Sequence, residues 1–347
     1  MLFKKEDIYS IKIVNKAFNK TTLGNAILLG CVLSLFACGS SDSNDNTAAE
    51  EIEDVETTTP VEIAAVDIKN AIFTNISGDC ADYDNSYIAD VTDVQEATDF
   101  ELDVVVSSDD SLCTITSNNI PNHDFNATGN FASLTVATSQ VFFVSRAPDV
   151  ASSTSALSQQ QYDAVMLNGV PLDILSAGCY KDGENVAIGC TTADDWLSDP
   201  LSSEGGFGTD SHNAHTQPTG VYHYHGTPKA MFDATDDSAA SPVIGFAADG
   251  FPVYGNFFVD PDSGTVRKAT SSYRLKAGSR GEKTDSNPGG DYDGEYVDDY
   301  EYVADYGDLD ECNGMTIDGQ YGYYVTESYP WVIACFSGTP DDSFDKL

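Results

Sequence analysis

The chain has 347 residues, with 56 Asp and Glu against 16 Lys and Arg, giving a formal net charge of −40. Hydrophobic residues are 41% and charged residues 21%, so most of the chain can bury a core and a wholly disordered acidic chain is excluded. The charge argues against nucleic acid, whose phosphates need clustered Lys and Arg, and against electrostatic attachment to anionic lipid. It favours solubility and divalent cations.

In chain order, the first element is an address. Lys4, Lys5, Lys12, Lys16 and Lys20 precede an apolar run over residues 23–37 that is too short and too rich in Gly and Ser for a comfortable membrane span. The run ends in Leu35-Phe36-Ala37-Cys38-Gly39, which resembles the lipobox of bacterial lipoproteins. That resemblance implies a signal peptide over 1–37, a lipidated Cys38 as the mature N-terminus, and sorting to an outer membrane. Residues 38–65 read as a disordered acidic tether, with Ser, Thr, Asp and Glu throughout and no aromatic side chain in 40–62. Beyond residue 37 the net charge is −43, from 11 basic and 54 acidic residues.

Eight cysteines fit an exported chain. Cys31 leaves with the signal and Cys38 carries lipid. The remaining six, Cys80, Cys113, Cys179, Cys190, Cys312 and Cys335, read as disulfides. None forms a CxxC pair, which argues against a thiolate zinc site. Proximity along the chain suggests Cys80–Cys113, Cys179–Cys190 and Cys312–Cys335.

From about residue 66 the composition becomes globular. Short β-type runs are expected at 71–76, 100–106, 113–116, 133–136 and 140–145, separated by Asn, Asp, Ser and Gly clusters. The best helical stretch is 158–165. Residues 165–172 read as a strand turning at Asn168-Gly169. Later strands are expected at 220–225, 243–247, 251–254, 301–303 and 321–326. The pattern predicts a mainly β fold: one disulfide-stapled β-sandwich or barrel-like domain over 66–347 with short helical insertions. A smaller N-terminal β subdomain ending near Pro148 is the alternative.

The chain has five histidines, and four of them, His212, His215, His223 and His225, fall within 14 residues. On a strand over 220–226, side chains alternate, so His223 and His225 share one face and Tyr222 and Tyr224 the other. Two imidazoles about 6.6 Å apart along a strand can converge on one ion. Neutral imidazole suits zinc, copper, iron and nickel. Pro218 and Gly220 favour a turn that would present His215, and His212 with it, beside that strand. Asp210 and Asp249 could accept from an imidazole N–H or orient a bound water. His123, set among turn formers in IPNHDF, is the remaining candidate ligand.

These stretches carry a resemblance. YHYH at 222–225, within SHNAHTQPTGVYHYHG, is the name-giving motif of the bacterial YHYH-domain family. IPNHDF (120–125), LNGVPLD (167–173), SPVIGFAADGFPVYG (241–255), SSYRLK (271–276), GDLDECNG (307–314) and YGYYVTESYPW (321–331) are similar to the same family. The resemblance covers nearly everything after residue 75 and implies membership, not an activity. Some members carry a further His in the late Tyr-containing strand, and Tyr321-Gly322-Tyr323 departs from that pattern.

Residues 291–311 hold ten carboxylates and five tyrosines. Most read as a solvated acidic surface. Asp308, Asp310 and Glu311, beside Cys312, are the better candidates for a calcium site, which takes 6–8 oxygens. No GxSxG, Walker or GxGxxG pattern occurs. The sequence thus favours an exported, lipid-anchored metal-binding module with copper or zinc on His215, His223, His225 and His123. It leaves open a metalloenzyme, with Asp249 as base or copper redox chemistry near a Tyr, and a structural interaction domain whose protein partner is not specified.

Overall fold

The computed structural model describes residues 64–202 and 207–346. The signal segment, Cys38 and nearly all of the tether lie outside the described residues. The described chain is mainly β, in several sheets, and not one closed barrel. A five-stranded sheet runs in the order Val66–Asp67, Asn85–Asp93, Thr98–Ser108, Leu112–Ser117, Gln140–Ser145. All neighbours after the first pair are antiparallel. Period-2 patterning builds it: Leu102, Val104 and Val106 are buried while Glu101, Asp103 and Val105 point out.

An eight-stranded mixed sheet follows. Its order is Ala214–Thr216, Tyr222–Tyr224, Pro171–Leu172, Ala164–Met166, Val243–Ala247, Pro252–Tyr254, Gln320–Tyr324, Gly314–Ile317. One hydrophobic core joins the two sheets, with Tyr83 edge-on to Phe246 and Phe125 against Tyr222. The turn at Asn168-Gly169 locks them together. Gly169 has φ +77°, Ser117 Oγ donates to its carbonyl at 2.8 Å, and a Cβ there would meet that hydroxyl at 2.2 Å. The disulfides are Cys80–Cys113, Cys179–Cys190 and Cys312–Cys335.

Three local expectations fail. Residues 158–165 are not helical: a turn leads into Ala164–Met166, whose Val165 pairs with Phe246, so sheet pairing overrides local propensity. The described helical pieces are all 3-10 turns, at Cys80–Tyr83, Val297–Asp299 and Asp342–Phe344. Segments 71–76 and 133–136 join no ladder, and Ile72, Ile76, Leu134 and Val136 stay exposed. Conversely, Asn85–Asp93 is a nine-residue strand that its polar composition hides; only Ala89, Val91 and Asp93 turn fully inward.

Candidate metal centre

The YHYH strand is the second strand of the eight-stranded sheet, between Ala214–Thr216 and Pro171–Leu172. A tight turn holds the first pair in register: Gly220, at φ +88°, donates to the Gln217 carbonyl, and Gln217 donates to the Val221 carbonyl. In the antiparallel register His215 lies directly opposite His223, so both project from the same face. His225, two residues on, shares that face. Three imidazoles thus meet from two adjacent strands.

Their Nε2 atoms converge. His223 Nε2 is 3.0 Å from His225 Nε2, which is 3.0 Å from His215 Nε2. Ring centroids are 4.6–4.8 Å apart. Nitrogens bound at ~2.0–2.1 Å around one ion sit roughly 2.9 Å apart at right angles and about 3.3 Å apart in a tetrahedron. Two of the three pairs are already close to either spacing, and all three donors lie within 4.8 Å of one another.

Hydrogen bonding fixes two of the tautomers. His215 Nδ1 donates to the Phe207 carbonyl at 2.5 Å, and His223 Nδ1 to the Val221 carbonyl at 3.2 Å. Each neutral ring carries one proton, so both Nε2 atoms present lone pairs to the centre. His225 Nδ1 has no hydrogen-bond partner, so no backbone carbonyl fixes its tautomer. A proton on His225 Nε2 could serve only one neighbour at a time. With that proton on Nδ1, three lone pairs face one point, an arrangement that a cation relieves.

A proton does not easily fill that role. Burial pulls His223 and His225 well below the ordinary imidazole range, and the charges their triad neighbours would carry add to it. His215 is lowered too, again chiefly by burial, though less so because it is only half-buried. His223 and His225 are 1% and 4% exposed, which leaves the donors of Ala214–Thr216 as the outer side of the centre. Neutral imidazoles aimed inward, with the opposite nitrogen held by a backbone carbonyl, are the donor set a borderline transition metal takes.

The other expected ligands are not brought to this centre. His123 lies on the Tyr-bearing face. Its Nδ1 donates to the Asp124 carbonyl at 3.1 Å and its Nε2 accepts from the Tyr224 hydroxyl at 3.2 Å, so both nitrogens are engaged. His212 stacks on His123 with centroids 3.8 Å apart. Asp210 accepts from the Tyr222 hydroxyl and from the amides of Asn126 and His212, and from no triad imidazole. Asp249 is taken by the Tyr323 hydroxyl at 2.5 Å and the Gly338 amide at 2.8 Å. Tyr222 and Tyr224 are fully buried core aromatics.

Nor do the late carboxylates gather. Asp308 accepts from the two terminal guanidinium nitrogens of Arg267 and from the Thr270 hydroxyl. Asp310 caps the amides of Cys312 and Gly314 and accepts from Tyr321, while Glu311 accepts from Thr154. Among the described residues, the other cluster of donor type, Asp79 with Cys80 and Cys113, has its sulfurs in a disulfide.

Sequence reasoning missed the neighbours of the triad. Asp173 extends the Pro171–Leu172 strand by one residue, its amide donating to the Tyr224 carbonyl at 2.8 Å. Leu172 pairs with Tyr224, so Asp173 falls opposite His225 on the histidine face. The signal was present in LNGVPLD, but only the pairing of that hairpin with the YHYH strand reveals it. The cavities of 490 and 500 Å³ beside Trp331 include none of the triad.

A family model described as YHYH protein matches residues 141–338, a span that contains both histidine strands, the Asn168-Gly169 turn and the Tyr321–Tyr323 segment. No curated protein and no solved structure matches the chain. With more than half of its length matched, the chain belongs to the YHYH protein family.

Proposed function

We propose that this chain is a metal-binding module that holds one copper or zinc ion on His215, His223 and His225. The observation that carries the reading is the convergence of three Nε2 atoms, with 3.0 Å between successive pairs, inside a buried part of the sheet. Two of the rings are fixed by backbone carbonyls in the tautomer that ligation needs. The acidity of the chain supports cation capture. In the same proposal the chain is an exported lipoprotein, anchored through Cys38 to an outer membrane and tethered by the segment that follows.

The test is elemental analysis of the full chain, purified without chelator or histidine tag, beside a His223→Ala/His225→Ala double variant. About one copper or zinc per chain, absent from a variant that still folds, is the expected result. A wild type that arrives metal-free and takes up neither ion on addition contradicts the reading and leaves the histidines as core residues.

A further inference from the structure

The histidine face continues past the triad as a row of buried acids. Asp173 lies opposite His225, and Asp163 lies opposite Asp173, since Ala164 pairs with Leu172 and the Asp163 amide donates to the Leu172 carbonyl at 2.8 Å. Both aspartates are at least 95% buried. Asp163 uses one oxygen to cap the Ile174 amide at 2.7 Å. Asp173 is held by one oxygen only. Its Oδ2 accepts from Lys346 Nζ at 2.6 Å and from Gln217 Nε2 at 2.8 Å; burial pushes the carboxyl up, and these two donors work against that push and favour the ionised form. Its Oδ1 is buried without a partner. A buried carboxylate oxygen left bare keeps its full desolvation cost, so its retention on the histidine face points to a ligand.

Asp173 is not among the donors that lie within 4.8 Å of one another, so it is placed beside the three-histidine group and not in it. A cavity of 190 Å³ borders Gln217 and Lys346, the two residues that hold Asp173, together with Tyr162 and Val221, whose carbonyl fixes His223; neither Asp173 nor a triad histidine lines it. It is smaller than the ~300–1,000 Å³ of sites that take drug-sized ligands.

We propose that the three-histidine centre keeps an open coordination position facing Asp173, which selects a small neutral ligand with an O–H or N–H to donate, such as water or a simple alcohol, over an anion. Asp173 is a positioning residue: its Oδ1 accepts from the bound ligand while its negative charge strengthens cation binding and repels anions. Lys346 opposes it, since its ammonium partly neutralises that charge. The inference rests on the metal reading above.

The experiment loads the full chain with Co(II), whose visible bands report the coordination shell. Affinity is measured by chelator competition and open-site access by azide titration, in wild type, Asp173→Asn and Lys346→Met. Asp173→Asn is expected to weaken Co(II) about tenfold and to tighten azide by about the same factor. Lys346→Met, which keeps the carboxylate and removes its counter-charge, is expected to move both quantities the other way. A purely structural role would weaken both in both variants. Co(II) and azide binding unchanged within about twofold in both variants, or shifted in the same direction, overturns the proposal while leaving the metal site standing. A wild type that binds no Co(II), copper or zinc removes the metal reading and this inference together.

Discussion

The two faces of the YHYH strand obey opposite rules. On the tyrosine face every polar group of Tyr222 and Tyr224 is answered. Tyr222 donates to Asp210, while Tyr224 donates to His123 and accepts from Asn168 at 3.0 Å. Asn168 in turn donates to Asn122 Oδ1. The rings of Phe125 and Phe131 pack at a tilt against Tyr222. On the histidine face the backbone answers the outer nitrogens of His215 and His223 and leaves the three inner ones aimed at each other. A satisfied network rigidifies a core, whereas convergent unsatisfied donors mark a place for something else. One strand therefore carries the scaffold on one side and the site on the other.

Several changes would break or sharpen that contrast. The largest effect is expected at the histidine face. Replacing His225 by Ala removes the nitrogen common to both 3.0 Å pairs, and ion affinity should fall more than 100-fold by chelator competition. Thermal melts of the wild type should show stabilisation by the ion, about 2.7 kcal/mol at a free concentration of 100 times Kd, reversed by chelator. Acid should act next. Burial holds His123 down to about 4 in the folded chain, below the ordinary value of 6.5. The unfolded chain then takes up the proton first, so this stability is complete above about pH 6.5 and is lost as pH falls towards 4. Urea denaturation of the metal-free chain should show a loss on the order of 3 kcal/mol across that window, with the triad imidazoles adding in the same direction.

On the tyrosine face the effects separate stability from binding. Tyr224→Phe strips a donor from His123 and an acceptor from Asn168, and should cost about 1–3 kcal/mol in denaturant. Ion affinity should change little, because the phenol lies across the sheet from the triad. The smallest effect is expected at His212, whose ring only stacks on His123. His212→Ala should cost about 0.5–1 kcal/mol and leave ion affinity within about twofold. A His212 variant that lost the ion would erase the distinction between the faces.

Much of this was legible in the sequence, and the failures are instructive. Alternation alone separates His223 and His225 from Tyr222 and Tyr224, because the strand period is 2 whatever the neighbours are. His215 could be placed once Pro218 and Gly220 marked a turn. His123 could not: its surroundings look like a functional loop, yet that loop packs on the opposite face, and only the pairing of distant segments decides the side. Asp173 shows the same limit. Its role depends on Leu172 lying beside Tyr224, 52 positions later, a parallel pairing with no local signature. In the acidic segment, charge density suggested calcium, but Arg267, 41 residues before Asp308, had already claimed that carboxylate.

The most direct test of the central claim is X-ray absorption spectroscopy of the chain loaded with one equivalent of zinc or copper. The account predicts three imidazole nitrogens at about 2.0–2.1 Å and one further light ligand, reduced to a weak, oxygen-rich shell in the His223→Ala/His225→Ala variant. A wild-type spectrum dominated by oxygen, or one unchanged by that double substitution, would show that the ion lies elsewhere and that the histidine face is only architecture.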